Sequence, residues 1–173
     1  MASGDTIFDG LAHDSQPVSA NAATPDWVAD ASTPNILTPV MRYDGAANEH
    51  RDYIFQIPSH YGGGGFTWRH KYAQDGASGN ACVFEIRMLV IDDLEDLNAD
   101  LGLDLQTASQ ISDTPSTTTN EFNYSGSGTL SHANADSPAV RDWAVVRLTR
   151  DAVDAGDSNT NDMMHAGIVI EET

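Results

Sequence analysis

Lysine and cysteine are almost missing: Lys71 and Cys82 each stand alone in 173 residues. A single cysteine excludes an intrachain disulfide and a zinc site built on several thiolates. Cys82 lies inside an alternating apolar stretch, which predicts a buried structural thiol. With one lysine, seven arginines are left to oppose 26 acidic residues, 20 of them Asp, and the formal net charge is -18. A phosphate-binding face needs clustered Lys and Arg, so no nucleic-acid partner is expected. No apolar run is long enough to span a bilayer, so no membrane partner is expected either. The opening residues MASGDTIFDG carry neither a basic n-region nor an apolar h-region, and no signal peptide is predicted. No stretch sustains a helical period and no fixed-length repeat occurs.

What is present is β grammar. Hydrophobic residues make up 40% of the chain and fall in alternating runs, which argues for a folded domain rather than a disordered acidic chain. The length suits one domain with a full core. An acidic coat keeps such a domain soluble where salt screens repulsion. Lysine depletion with Asp enrichment resembles haloarchaeal protein composition.

Residues 40–173 read as a sandwich domain. In DYIFQIP (52–58), Tyr53, Phe55 and Ile57 share a face before Pro58 and GGGG (62–65) break the strand. FTWRHKY (66–72) puts Phe66, Trp68, His70 and Tyr72 on one face and Thr67, Arg69 and Lys71 on the other. ACVFEIRMLVI (81–91) aligns Cys82, Phe84, Ile86, Met88 and Val90 against Glu85 and Arg87. DDLEDLNADLG (92–102) suits a short helix or an acidic loop, and LDLQTA (103–108) alternates again. EFNYS and GTLSH read as short strands around GSG, and DWAVVRLTRD (142–151) and MMHAGIVIEE (163–172) as longer ones. The expectation is all-β: an antiparallel β-sandwich of about eight strands.

Residues 1–39 differ. They are rich in Ala, Ser, Thr, Asp and Pro, with short apolar anchors at Ile7 and Phe8, Trp27 and Val28, and Ile36 and Leu37. This pattern predicts an extended N-terminal arm that packs on its own domain or on a neighbouring subunit.

The loop RDAVDAGDSNTND (150–162) raises the question of a metal. An EF-hand register begun at Asp157 fits Asn159 and Asn161, then fails with Asp162 at the sixth position and Ile168 at the twelfth. A hydrated connection between two strands is the leading reading, since Asp and Asn are good turn residues; a non-EF cation loop is the other. The histidines at 13, 50, 60, 70, 132 and 165 show neither H-x-H nor H-E-x-x-H spacing. His60 and His70 flank the glycine run and would approach each other across a hairpin. SGSG (125–128) is not the nucleophile elbow G-x-S-x-G. GGGG lacks the Lys-Ser/Thr and the helix of a phosphate loop, and reads as a hairpin tip or a close approach of another backbone. Trp68, Tyr72 and Tyr53 read first as sandwich core and second as a sugar-stacking platform. No residue is assigned a catalytic, cofactor-binding or metal-ligating role, and no cofactor is expected.

Three segments together, YIFQIPSHYGGGGFTWRHKYA, SGNACVFEIRMLVI and VVRLTRDAVDAGDSNTNDMMHAGIVIEE, resemble small jelly-roll structural proteins of tailed viruses, of the head-decoration, turret, spike or fibre type, and the composition adds the expectation of a haloarchaeal host. The resemblance covers about residues 40–173 and carries no catalytic residues. It implies a jelly-roll β-sandwich and a non-enzymatic virion protein on the capsid surface or vertex. It also implies a homo-oligomer, with a trimer expected, in contact with the major capsid protein or other virion proteins. The alternative is a receptor- or carbohydrate-binding jelly roll of a tail fibre or spike, with a host glycan or receptor as partner. A β-sandwich hydrolase is a third class, and the motifs do not favour it.

Overall fold

Alternation builds strands because successive side chains point to opposite faces of a sheet, so a period of two buries one face and wets the other. The computed structural model describes residues 4–31, 36–91 and 106–173. Its strands are β1 (Thr6–Leu11), β2 (Gln16–Pro17), β3 (Thr24–Ala29), β4 (Leu37–Tyr43), β5 (Glu49–Gln56), β6 (Phe66–Gln74), β7 (Cys82–Ile91), β8 (Ser109–Asp113), β9 (Asn123–Tyr124), β10 (Gly128–Leu130), β11 (Trp143–Arg150) and β12 (Met163–Glu172). The larger sheet runs β10-β6-β12-β4-β3, with β1 also on β12 and β9 also on β6. The smaller runs β2-β5-β11-β7-β8. Set aside β1, β2, β3 and β9, and the frames β10-β6-β12-β4 and β5-β11-β7-β8 remain. That order, with the chain crossing repeatedly between sheets, is an antiparallel jelly roll. Among the described residues no helix is long and apolar enough to cross a membrane.

The core lies between the sheets. Tyr43, Phe66, Trp68, Tyr72, Met163, Ile168 and Ile170 from the larger sheet meet Tyr53, Phe84, Ile86, Met88, Val146 and Leu148 from the smaller, all essentially sealed from solvent. Each such side chain contributes about 1.5–3 kcal/mol by leaving water. Register is pinned from both sides of β11: Val146 faces Tyr53 and Met88, and Leu148 faces Arg51 and Ile86. A slip by one residue would turn this apolar set outward.

The boundary expected between residues 39 and 40 falls inside β4. Upstream of it, β1 pairs with β12, β2 with β5 and β3 with β4. Ile7, Ala12 and Ala23 are buried in the main core, and Phe8 stacks on Phe55 at 4.4 Å and 10°. These strands are short, and β2 and β3 contain Pro17 and Pro25, so their alternation is too brief to stand out from a polar arm. The segment 92–102 and the first half of LDLQTA lie outside the described residues. The strand in that region is Ser109–Asp113, where Ile111 is the sole large apolar side chain. The glycine run carries the chain from β5 to β6. Gly62 and Gly64 donate their amides to the Glu172 carboxylate at 2.9 and 3.1 Å. A Cβ on Gly65 would sit 2.8 Å from the Leu130 carbonyl oxygen, so here another backbone does come close.

Candidate functional site

The Asp-rich loop between β11 and β12 folds around a cation of its own chain. The Arg150 side chain, fully buried, donates Nε to Asp157 Oδ2 at 3.3 Å and Nη2 to Asp157 Oδ1 at 3.2 Å. Nη1 donates to the carbonyls of Asn161 at 2.6 Å and Asp44 at 3.2 Å, and Nη2 also reaches the Asn159 carbonyl. Asp157 in turn accepts the amides of Val83 and Asn159 at 3.0 and 3.1 Å. The other carboxylates diverge. Asp151 accepts from Asn48, Asp154 from Gly156 and Gln110, and Asp162 from Gly45. Asn159 and Asn161 both donate to Gln74 Oε1 at 3.0 Å, tying the loop to the end of β6. Asp157 serves a guanidinium, and Asp151, Asp154 and Asp162 accept from separate backbone and side-chain amides instead of converging on one point.

The histidines fall into separate environments. His60 is exposed beside the Thr6 carbonyl, far in role from His70, which faces His165. Both His70 and His165 are fully buried, with Nδ1 to Nδ1 at 3.3 Å. Tyr53 Oη lies 2.6 Å from His165 Nε2, and His70 stacks on Tyr72 at 4.6 Å. His70 Nε2 has no partner among the described residues. Burial, with the Arg51 charge behind it, pushes His165 down to about 3. Burial, then His165, holds His70 well below its ordinary value. Both rings are therefore neutral core members. Pairing of β6 with β12 brings them together, a juxtaposition that parity on each strand allowed but no sequence spacing announced.

Trp68, Tyr72 and Tyr53 are sealed in the core, so the sugar-stacking reading of those three is overturned. Trp68 Nε1 donates to Ser109 Oγ at 2.7 Å and the Tyr72 hydroxyl to Asp113 at 2.9 Å, which satisfies their polar ends. The aromatics that face solvent are Trp27, Tyr124 and Trp143, with exposures of 61%, 54% and 53%. Trp143 went unread by sequence reasoning, although its signal was present: Ala144, Val146 and Leu148 take the inner parity of β11, which leaves Trp143, Val145, Arg147 and Thr149 outside.

That outer face of the smaller sheet is ordered in cross-strand rows. Gln56, Trp143 and Ile91 lie abreast, then Ile54, Val145 and Leu89, then Asp52, Arg147 and Arg87, then His50, Thr149 and Glu85. Trp143 to Thr149 covers about 20 Å at about 3.4 Å per residue. The polar members hold one another in place. Arg147 grips Asp52 through Nε to Oδ1 at 2.8 Å and Nη2 to Oδ2 at 3.0 Å. Arg87 Nε reaches Glu85 at 3.1 Å, and His50 Nδ1 meets Thr149 Oγ1 at 2.8 Å. A cleft of about 290 Å³ opens over them.

At the Trp143 end a second cleft, about 380 Å³, is lined by Gln56, Ile91, Val140, Arg141, Asp142 and Trp143. Arg141 sits at φ +78°, a left-handed conformation costing on the order of 1–2 kcal/mol for a residue with a Cβ. Three bonds hold it there: Arg141 N to Ile57 O at 2.9 Å, Gln56 Nε2 to Arg141 O at 3.0 Å, and Ile57 N to Asp142 O at 2.8 Å.

A different kind of surface lies on the β3–β4 hairpin. Trp27, Ile36 and Leu37 are exposed, and Trp27 borders an apolar groove of about 330 Å³ with His13, Pro25, Pro39 and Met41. The edge of β3 is blunted against strand addition: Pro25 has no N–H, and the Trp27 N–H donates to Asp26 Oδ1 at 2.8 Å. Among the described residues, no three His, Cys, Asp or Glu side chains gather as metal ligands would.

No family model matches the chain, and no curated protein matches it in sequence. Among solved structures it is similar to a candidate sugar-binding protein of Bacteroides thetaiotaomicron, at 9% identity and a TM-score of 0.46 over 90% of this chain and 85% of that one. It is similar to the CBM36-1 domain of a multidomain xylanase from the hindgut metagenome of Trinervitermes trinervoides, at 4% identity and a TM-score of 0.40 over 96% of each chain. A third likeness is to the isomalto-dextranase of Arthrobacter globiformis T6 complexed with panose, at 11% identity and a TM-score of 0.41, covering 97% of this chain and 33% of that enzyme. Likenesses this loose transfer no residue role; the jelly roll stands on the strand order itself.

Proposed function

We propose that the chain is a non-catalytic binding module that takes carbohydrate on the outer face of its smaller sheet. The observation that carries this reading is Trp143, half exposed on the same sheet face as two rows of mutually fixed polar side chains, with the row of Ile54, Val145 and Leu89 between them. A pyranose has one face of C–H bonds that stacks on an indole, and a rim of hydroxyls that need donors and acceptors already in place. Further along the same face, where a longer oligosaccharide would reach, Arg147 with Asp52 and Arg87 with Glu85 supply both kinds, and each pair orients its partner. Side chains fixed before binding lose little entropy on binding. A glycan array probed with the wild type and with Trp143→Ala tests the reading. Selective retention of some glycans by the wild type, lost in the variant, supports it; an array that stays blank refutes it.

The virion reading stands beside this one, favoured by the exposed apolar hairpin of Trp27, Ile36 and Leu37, which suits burial against another protein. In that reading the chain is a homo-oligomer on a capsid surface or vertex, docked on the major capsid protein through the hairpin. The two readings are compatible, since a spike or fibre that grips a host glycan is also a virion component. Sedimentation of the wild type and of Trp27→Ser with Leu37→Ser tests it. An oligomer that the substitutions dissolve supports the assembly role, and a monomer at every concentration contradicts it.

A further inference from the structure

Positive charge is scarce on this chain, and nearly all of it is engaged. Arg150 is enclosed by its loop and Arg51 donates to Ser15 and Ala23 carbonyls. Arg42 pairs with Asp26 and Asp75, Arg147 with Asp52 and Arg87 with Glu85. Arg69 and Lys71 lie over the Tyr124 ring at 5.2 and 5.9 Å. Arg141 is different. Its side chain is exposed and makes no hydrogen bond or ion pair with a described residue, and its backbone is locked in a left-handed conformation that aims it from the rim of the Trp143 cleft. A neighbouring carboxylate does not quench it, because Asp142 Oδ2 turns back to accept the Ala139 amide at 2.7 Å.

We infer that the Trp143 cleft takes a carboxylated pyranose, a uronate, with the indole under the ring and the Arg141 guanidinium on the carboxylate. The inference rests on the carbohydrate-binding reading and names its ligand class. A guanidinium has five donors and no acceptor, and its planar fork matches a carboxylate with two parallel bonds. A neutral sugar would use the indole and leave the charge idle. The net charge of -18 does not forbid an anionic ligand in brine. At about 1 M salt, fields decay within about 3 Å, so long-range repulsion vanishes while a direct ion contact persists.

Calorimetric titration in molar salt tests this, with a panel of galacturonate, mannuronate and glucuronate oligomers, their methyl esters, and neutral gluco- and xylo-oligosaccharides. The wild type should bind at least one uronate about threefold to fivefold tighter than its ester, the margin expected of a solvent-exposed ion pair. Arg141→Gln should erase that margin while ester binding persists, and Trp143→Ala should lose both. Arg141→Gly relieves the backbone strain, so loss of the margin in this variant cannot be blamed on misfolding. Equal affinity for acid and ester, a margin that survives in Arg141→Gln, or binding confined to neutral sugars overturns the uronate assignment and leaves the carbohydrate reading standing. A wild type that binds nothing on the panel overturns both.

Discussion

Arg150 and Asp157 form an ion pair sealed from solvent, with side-chain exposures of 0% and 1% and Nη2 to Oδ1 at 3.2 Å. Around it the loop between β11 and β12 closes as if on a metal, with carbonyls of Asp44, Asn159 and Asn161 completing the shell. Removing one partner strands a buried charge. Arg150→Met should cost about 3–5 kcal/mol, and the double variant Arg150→Met with Asp157→Leu should recover part of that loss. Urea unfolding curves measure both, and a single variant within about 1 kcal/mol of wild type would show that the pair does not hold the loop.

The His70–His165 pair makes the core sensitive to acid. Both rings stay neutral when folded, His165 down to about 3, while the unfolded chain takes up protons near 6.5. Below about 6.5 the unfolded state holds more protons, so stability falls as pH falls, by about 1.4 kcal/mol per pH unit for His165 down to about 3 and in the same direction for His70. His70→Phe keeps the stack on Tyr72 and removes a buried nitrogen that lacks a partner. Its stability should fall less steeply than wild type as pH drops below about 6. Parallel curves would contradict the assignment.

Cys82 should be inert in the native state. Burial pushes its thiol up to about 12, and its side chain is closed to solvent. A thiol-reactive dye should label it only as fast as the whole domain opens, so labelling should accelerate with urea in step with unfolding. Rapid stoichiometric labelling without denaturant would place Cys82 at the surface.

Salt should stabilise the protein and, on the proposed assembly role, the contacts between its copies. Repulsion among surface carboxylates reaches about 30 Å at 0.01 M and about 3 Å at 1 M. Lowering salt should separate associated copies before it unfolds them, because association brings several bodies of charge -18 together. Light scattering and circular dichroism along one dilution series follow both events. Assemblies that stay intact to millimolar salt would contradict the halophilic reading of the composition.

The strands of the jelly-roll frame were legible wherever apolar residues alternate over a long run, as in β6 and β7, where Phe66 to Tyr72 and Cys82 to Met88 have the inward parity that was read. Legibility failed where pairing partners, not local pattern, make the strand. Ser109–Asp113 is polar and becomes β8 by completing the edge of β7, and β1 is held by its partner β12. The Asp-rich loop was read as a hydrated connection, but its organising centre, Arg150, looked like the last residue of a strand. The candidate site was half legible. Trp143 lies on the outer parity of a strand whose inner parity is plain, whereas the row of Asp52, Arg147 and Arg87 exists only once β5, β11 and β7 are laid side by side. Arg141's left-handed backbone has no sequence signal, since Gly or Asn would ordinarily mark it.

In the proposed function, glycan lies on the outer face of the smaller sheet, from Trp143 toward Thr149. Amide NMR during titration with an oligosaccharide mixture of uronates and neutral glycans tests it most directly. The predicted result is a contiguous set of shifting resonances at Arg141, Asp142 and residues 143–149 of β11 and at its neighbours on β5 and β7, with the Trp143 indole N–H among the largest. Shifts centred instead on Trp27 and the β3–β4 hairpin, or no shifts at saturating glycan, would contradict it.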